Sequence, residues 1–277
     1  MTLTIPWRRI LLTISYDGTA YAGWQRQANL PTVQEEIETA LETALHMPIT
    51  LYGASRTDVG VHALQQAAHI NVQCTIPTEK FPFVLNNLLP PSIRIRCAKE
   101  ISAKDHARFS SFGKTYTYRI LNHPHANGMF HQYLTHIPQK ISLEKIKSAL
   151  PKLTGIHDFA AFCDTGGHVK TTKRVLYNIT AEKKEDCIFL VFRGNAFLYH
   201  MVRIMAGTLI HIGQGRLQDE VINQAFATGN RLLLGPTAPA KGLELTQVHY
   251  PWDQNVPFTP IEKHLVVSTP SGEDIYC

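Results

Sequence analysis

Residues 10–18 read ILLTISYDG, and this stretch predicts the first element of the fold. Apolar and aromatic residues stand at every second position from Ile10 to Tyr16, a period of two that is typical of a β-strand. The pair Asp17-Gly18 is a turn signal, so we expect the strand to end there.

The elements that follow complete one structural unit. Thr32 stands three residues before Glu35, which indicates the start of a helix, and apolar residues then recur at helical spacing as far as Leu45. Alternation and breaker residues predict the remaining elements: strands at Ile49–Ser55 and Ala67–Val72, a helix at Thr78–Leu88, and a strand at Ile93–Cys97. The predicted order of this half is βαββαβ.

The second half repeats this order with one additional helix. Its predicted elements are strand Lys114–Asn122, helix Ser142–Leu153, strands Arg174–Glu182 and Cys187–Arg193, helices Phe197–Ile212 and Val221–Phe226, and strand Gly242–His249. Paired strands in both halves disfavour a doubly wound parallel sheet, in which single strands alternate with helices.

We therefore predict an α+β fold of two ferredoxin-like βαββαβ halves, with a largely antiparallel sheet and the helices on one face. The expected boundaries are residues 1–105 for the first half and 106–250 for the second. Residues 251–277 are expected to form an irregular tail.

Charge and composition narrow the classes of protein to consider. Lys and Arg number 27 against 22 Asp and Glu, a net charge of +5 with His neutral, which suits a phosphate-bearing partner without requiring one. The five cysteines are scattered and include no C-x-x-C pair, which favours a reducing compartment. No apolar run approaches the ~20 residues of a membrane span. We expect a cytoplasmic protein without membrane contact.

Cofactor and metal signatures are missing from the sequence. The chain has 14 His but neither an H-E-x-x-H motif nor a Cys/His cluster. It also has neither a Walker A loop nor a G-x-G-x-x-G motif. We expect no metal and no cofactor.

The segment Arg56-Thr57-Asp58 has the residue types of a catalytic site. Arg56 and Asp58 are two residues apart, so on extended backbone their side chains point to the same face. A carboxylate beside a guanidinium stays ionised, which suits a nucleophile better than a general acid. The same residues also suit a structural ion pair at a turn, and spacing alone leaves both interpretations open.

A second segment surrounds Tyr116 and Tyr118, which share one face of a predicted strand. Aromatic rings in this setting stack on nucleic acid bases, and Arg108, Lys114 and Arg119 are close enough in sequence to bind phosphates. The alternative is ordinary cross-strand packing, because tyrosine is common in strands.

The third segment is an apolar helix predicted to carry His200 and Arg203 one turn apart. An Arg on so apolar a helix needs a carboxylate or a ligand anion, because an unpaired buried charge is very unfavourable. Asp58 is a candidate partner that the spacing does not test.

Several ordered blocks of the chain, from Ile10 to Tyr250, resemble the bacterial tRNA pseudouridine synthase A family. The matching blocks are Tyr16-Asp17-Gly18, Gly23–Gln27, Val33-Gln34-Glu35, Arg56–His62, His106–Ser110, Tyr116-Thr117-Tyr118, Asp158-Phe159 and Asn195–Arg203. One departure is Ser55, where the family usually has glycine before Arg-Thr-Asp. The tail after Pro251 lies outside the resemblance.

The resemblance implies the pseudouridine synthase fold and an enzyme that isomerises uridine to pseudouridine in the anticodon arm of tRNA, at nucleotides 38–40. It also implies a homodimer that works without a cofactor and shares its clefts between subunits. By the same resemblance Asp58 is the nucleophile, Tyr116 packs against the target base, and Arg203 pairs with the Asp58 carboxylate.

The chemistry sets requirements on the RNA as well as on the protein. The uridine must leave its stack to reach a buried Asp, so we expect Arg56 to fill the vacated space and Arg108 and Lys114 to bind substrate. Whether Asp58 attacks C1′ of the sugar or C6 of the base stays open.

Two other functions remain alternatives. A non-catalytic RNA-binding module is compatible with ferredoxin-like halves, but such a module has no use for a carboxylate on its phosphate-binding face. A hydrolase that cuts a glycosidic bond normally uses two carboxylates, and only Asp58 is convincing here.

Overall fold

The computed structural model of the chain describes residues 5–164, 166 and 170–253, together with the backbone of 266–268 and 274–276. The chain divides into two units, one formed by residues 1–112 with 244–252 and the other by residues 113–243 with 253–277. These units differ from the expected halves in the assignment of residues 106–112 and 244–250. The expected boundaries stay a prediction.

The first unit has its elements in the predicted order. They are β1 (Arg8–Tyr16), α1 (Val33–Leu45), β2 (Tyr52–Gly53), β3 (His62–Val72), α2 (Phe81–Asn86) and β4 (Ile93–Ile101). β1 lies between β3 and β4 and pairs antiparallel with both, and β2 pairs antiparallel with β3. Ile10, Leu12 and Ile14 of β1 are fully buried. The centre of this sheet therefore supplies the core of the unit.

Helix α1 begins and ends as the sequence indicates. The Thr32 hydroxyl accepts a hydrogen bond from the Glu35 backbone N–H at 3.4 Å, which satisfies one of the open donors of the first turn. His46 ends the helix in the left-handed conformation, with φ of 55°. Ile37 and Leu41 are fully buried on its apolar face. The prediction of this helix is confirmed.

The strand predicted at Ile49–Ser55 is much shorter in the structure. The backbone N–H of Leu51 donates to the Glu38 carboxylate at 3.0 Å, and that of Ile49 donates to Glu42 at 3.3 Å. Because side chains of α1 satisfy these donors, strand pairing is left only to Tyr52–Gly53.

The second unit has more strands than predicted. Its elements are β5 (Gly113–Leu121), β6 (Thr135–His136), α3 (Leu143–Leu153), β7 (Gly155–Asp158), β8 (Lys173–Lys184), β9 (Cys187–Gly194), α4 (Met201–Gly213) and α5 (Glu220–Thr228). The order β5-β9-β8-β7 is antiparallel throughout, and β6 pairs in parallel with the end of β5. β6 and β7 were not predicted, because two and four residues are too few to display a period.

The last strand of the second half, β10 (Leu243–His249), returns to the first unit from residue 244 onward. Glu244 and Leu245 pair in parallel with His62 and Ala63 at the start of β3. Beyond it, β11 (Val266–Ser268) and β12 (Asp274–Tyr276) pair antiparallel with each other. The rest of the predicted irregular tail, from residue 254, lies outside the described residues.

The predicted fold class is confirmed. Within the described strand pairs of each unit, antiparallel pairing dominates, and helices and strands are mixed as in an α+β protein. In the second unit α3 packs against both α4 and β8.

His69 is a buried polar residue in the middle of β3, with 1% of its surface exposed. Its Nδ1 accepts a hydrogen bond from the Ala107 backbone N–H at 3.2 Å, which keeps that nitrogen unprotonated. Burial, followed by the charges of His106 and Arg9, lowers the pKa of His69 from 6.5 to about 4.

We expect this imidazole to make the free energy of unfolding fall as the pH drops from 6.5 to about 4. In that window the unfolded chain binds a proton that the folded chain excludes, a loss of roughly 2–3 kcal/mol in total. His69→Asn keeps an acceptor near Ala107 and removes this part of the pH dependence. Urea unfolding at several pH values measures it, with the exposed His125→Asn as control; equal slopes for wild type and His69→Asn would contradict the assignment.

Candidate active site

The loop that carries Asp58 connects β2 to β3 and is held by hydrogen bonds on both sides of the aspartate. The Thr57 carbonyl accepts from the Trp24 backbone N–H at 3.1 Å, and the Thr57 hydroxyl lies 2.7 Å from the Tyr16 hydroxyl. The Val61 backbone N–H donates to the Asp58 carbonyl at 3.2 Å and closes a turn. The backbone of Asp58 is therefore fixed by the core of the first unit.

This arrangement requires glycine at residue 23. Gly23 has φ of +99°, and a Cβ on it would lie 2.6 Å from the Thr57 carbonyl oxygen. Any side chain would push apart the two segments that the hydrogen bond from Trp24 joins. The Gly23-Trp24 pair in the sequence thus serves the position of Asp58.

The side chains of the loop differ in their exposure. Thr57 is buried, Asp58 is half-buried, and Arg56 and Val59 are exposed. An exposed Arg beside a half-buried carboxylate suits the predicted division of roles, in which Arg56 meets the RNA and Asp58 meets the reacting atoms.

Ser55 fits where the family usually has glycine. Among the described residues, the non-glycine positions with positive φ are Asn29, His46, Glu185 and His200, so Ser55 is not in the left-handed region. Its carbonyl accepts a hydrogen bond from the Gln66 amide at 2.7 Å. A side chain is tolerated here because the backbone conformation is one that all residues adopt.

His62, the first residue of β3, contacts the turn that follows β1. Its Nδ1 accepts from the Gly18 backbone N–H at 3.1 Å and lies 3.2 Å from an Asp17 carboxylate oxygen. The turn signal Asp17-Gly18 and the block that ends at His62 are therefore neighbours in the fold. The role of His62 is not visible in the sequence, because its partners lie more than 40 residues away.

Arg108, the other predicted binding residue of the first unit, is exposed in a short turn after β4. Its guanidinium lies 5.8 Å from the centroid of the Phe109 ring. An exposed guanidinium over an aromatic face is available to a phosphate.

In the second unit, Tyr116 and Lys114 lie on β5 and are 6% and 8% exposed. The Tyr116 ring packs edge-on against Phe197, with centroids 5.0 Å apart. Arg119 is 5% exposed, about as buried as Lys114, and its expected contact with phosphates stays a prediction.

Arg203 lies in the first turn of α4 and is half-buried. Its Nε donates to the Ala238 carbonyl at 2.8 Å, and the Ala238 backbone N–H donates to the Arg203 carbonyl at 3.1 Å. Burial raises the pKa of the nearby Tyr118 hydroxyl, and the positive charge of Arg203 opposes this rise. The segment around Ala238 therefore fixes the direction of the Arg203 side chain.

His200 is not part of the helix, contrary to the prediction that α4 begins at Phe197. It precedes Met201 in the left-handed conformation, with φ of 59°, and its Nδ1 lies 2.7 Å from the Asp164 carboxylate. The Asp164 carboxylate also accepts from the Thr237 hydroxyl at 3.1 Å. Burial alone raises the pKa of Asp164, but the hydrogen bonds from His200 and Thr237 and the charges of His200 and Arg231 lower it overall.

Within the described residues, no group of three His, Cys, Asp or Glu side chains is arranged to hold a metal ion. No helix in the same part of the chain is long and apolar enough to cross a membrane.

The α+β fold and the Arg-Thr-Asp loop together define a pseudouridine synthase. More particularly, the chain belongs to the tRNA pseudouridine synthase family, whose model matches residues 12–110 and 149–251. The two matched ranges include Asp58, Arg108 and Arg203.

Curated relatives match the chain over most of its length. It is 45% identical over 244 residues to tRNA pseudouridine synthase A of Ruminiclostridium cellulolyticum, which covers 88% of this chain and all of the relative. It is 41% identical over 243 residues to tRNA pseudouridine synthase A of Brevibacillus brevis, with the same coverage.

Solved structures are much more distant. The crystal structure of a Cbf5-Nop10-Gar1 complex is similar at a TM-score of 0.37 and 13% identity, over 85% of this chain and 48% of that chain. This likeness is too weak to support an inference about function.

The segment that orients Arg203 lies unusually close to α4. A Cβ on Gly207 would lie 1.8 Å from the Pro236 carbonyl oxygen, inside the volume of that atom. The glycine therefore permits the contact that brings Ala238 to Arg203.

We expect Gly207→Ala to lower the free energy of unfolding by about 1–3 kcal/mol or more, because the new methyl group forces α4 and residues 235–238 apart. Denaturant unfolding measures the change. Gly128→Ala is the matched control, since a Cβ there meets nothing within 4 Å. Equal stability of the two variants would mean that the segment at Pro236 moves away from residue 207 without a measurable cost in free energy.

Proposed function

We propose that this protein isomerises uridine to pseudouridine in tRNA, with Asp58 as the nucleophile. The observation that carries the proposal is family membership combined with an Arg56-Thr57-Asp58 loop that Trp24 holds at the Thr57 carbonyl and Tyr16 at the Thr57 hydroxyl. The relatives named above are tRNA pseudouridine synthases, which supports tRNA as the substrate class.

The reaction exchanges one glycosidic bond for another. The bond between N1 and C1′ breaks, a bond between C5 and C1′ forms, the C5 proton leaves to solvent, and N1 gains a proton. While the base turns, the Asp58 carboxylate is bound covalently to the substrate, either as an ester at C1′ or as an adduct at C6. It is released unchanged at the end of the reaction. No external oxidant, reductant or cofactor is required by this balance.

The other predicted residues take supporting roles in the proposal. Tyr116 packs against the target base, and Arg203 pairs with the Asp58 carboxylate. Arg56 occupies the space that the extruded uridine leaves, and Arg108 and Lys114 bind the phosphate backbone. The exposure of Arg56 and Arg108 supports their part of this assignment.

The finer features of the proposal rest on the resemblance to the family. They are action on nucleotides 38–40 of the anticodon arm, a homodimer with shared clefts, and a cytoplasmic location. Analytical ultracentrifugation tests the dimer, and mapping of the modified nucleotides tests the positions.

A non-catalytic RNA-binding module is the second candidate, and Asp58 distinguishes the two. A pure binder gains nothing from a carboxylate held beside an exposed Arg, since the carboxylate repels phosphate. We therefore favour catalysis.

We expect the wild-type protein to release tritium from tRNA labelled at C5 of its uridines, and Asp58→Asn to release none above background. The amide cannot attack carbon, whereas phosphate contacts, which dominate RNA binding, remain. Asp58→Asn should accordingly bind tRNA within about threefold of wild type.

Asp186→Asn, an exposed carboxylate in the turn between β8 and β9, is the matched control and should retain full turnover. Full activity of Asp58→Asn would remove this residue from the mechanism. Release of uracil instead of tritium would indicate a glycosidic hydrolase.

The proposed pair of Asp58 and Arg203 is tested by a double-mutant cycle on stability. Arg203→Met leaves the carboxylate without its cation, and Asp58→Leu added to it removes the unpaired charge. We expect the double variant to be more stable than Arg203→Met alone, with a coupling energy of about 0.5–3 kcal/mol. Arg203→Met and the double variant both lose the hydrogen bond from Arg203 to Ala238, so this loss cancels in the coupling energy. Additive losses would show that the two residues do not interact.

A further inference from the structure

A row of four aromatic rings in the first unit is not used by the proposed mechanism. We call it the ring row: Tyr52, His69, His106 and Phe109. Neighbouring centroids are 4.9 Å, 4.6 Å and 4.5 Å apart along this order. His69 is buried, whereas Tyr52 and Phe109 at the two ends are 42% and 77% exposed. The row thus connects the core of β3 to two exposed aromatic faces.

The turn that carries Phe109 is fixed by the two histidines of the row. The Ala107 backbone N–H donates to His69 Nδ1 at 3.2 Å, and the Arg108 backbone N–H donates to His106 Nδ1 at 3.0 Å. The Ser110 backbone N–H donates to the His106 carbonyl at 2.9 Å and closes the turn. Phe109 is therefore held outward on an ordered backbone rather than on a loose loop.

Two arginines, Arg108 and Arg9, lie near the exposed end of the ring row. The Arg108 guanidinium lies 5.8 Å from the Phe109 centroid. Arg9 binds the carbonyls of Ala103 and Asp105 at 2.7 and 2.6 Å, just before the turn. Burial, then the charges of Arg9 and Arg108, lowers the pKa of His106, so its ring adds a neutral aromatic face among these cations.

These features fit one kind of partner. Because its backbone is fixed before any ligand arrives, the exposed Phe109 ring loses little conformational entropy when a ligand covers it. An apolar protein surface would offer no counter-charge to the exposed guanidinium of Arg108. A nucleic acid strand offers both complements, a flat base for Phe109 and a phosphate for Arg108.

We propose that Phe109, backed by the ring row, is a stacking platform for an RNA base, and that Arg108 binds a phosphate beside that base. Because Tyr116 is already proposed to pack against the uridine that is isomerised, we assign Phe109 to a second base. The proposal rests on the proposed function, because it takes tRNA as the ligand.

The test compares tRNA dissociation constants at one fixed salt concentration. Phe109→Ala removes the aromatic face and should weaken binding about 5- to 150-fold, the effect of losing one base stack. Phe109→Trp keeps a face and should bind within about threefold of wild type. Phe109→Leu keeps apolar volume without a π-face and should behave like Phe109→Ala. Arg108→Gln should weaken binding and reduce the slope of log K against log salt by about 1.

Phe83 provides the matched control. It is 67% exposed and lies 5.4 Å from the Lys80 ammonium, but it belongs to α2 and not to the ring row. Phe83→Ala should bind tRNA like wild type. With tRNA at saturation, the single-turnover rate of Phe109→Ala should stay within about threefold of wild type, since the ring does not touch the reacting atoms.

The outcomes separate this inference from the proposed function. Suppose the wild-type protein is active on tRNA. Unchanged tRNA binding by Phe109→Ala then overturns the platform alone, and so does equal weakening of binding by Phe109→Ala and Phe83→Ala. Dissociation of a wild-type dimer by Phe109→Ala, with tRNA affinity unchanged, overturns it in favour of an interface between two copies. A wild-type protein that binds no tRNA overturns both.

Discussion

Three buried polar side chains of β3 hold the loops of the first unit, and the candidate site depends on them. His62 accepts from Gly18, Gln66 donates to Ser55, and His69 accepts from Ala107, in each case through a hydrogen bond to loop backbone. A buried polar group that lost such a partner would be strongly unfavourable, so the strand and the loops form together.

This constraint links the catalytic loop to the proposed stacking platform. Gln66 binds the Ser55 carbonyl at the start of the loop that contains Asp58, and His69 fixes the turn that contains Phe109. A single strand therefore sets the positions of two loops that are far apart in sequence. Loops that bind RNA gain accuracy when their backbones are attached to a rigid element in this way.

In the second unit, close backbone contact positions the Arg203 side chain. Gly207 allows the Pro236 carbonyl to lie against α4, and Ala238 then receives the Arg203 Nε–H. Asp164 accepts hydrogen bonds from His200 and Thr237 at the start of the same helix. The charge of Arg203 thus has a defined direction before any substrate binds, which is a form of electrostatic preorganisation.

Residue periodicity and short motifs were enough to predict the fold class, the order of the main elements and the residue types of the site. Period-two and helical spacing were sufficient for β1, β5 and α1, because in these elements burial of one set of side chains controls the pattern. The block of Arg56 to Asp58 was visible because its residues are adjacent in the chain.

Contacts between groups that are distant in the chain became visible only in the folded molecule. The bond between Asp164 and His200 spans 36 residues, and the ring row draws members from residues 52 to 109. The burial of Arg119 and the late start of α4 at Met201 follow from packing, not from local preference. Sequence periodicity does not predict such contacts. Hydrogen bonds and ring packing depend on distances in space, and these exist only once the backbone has folded.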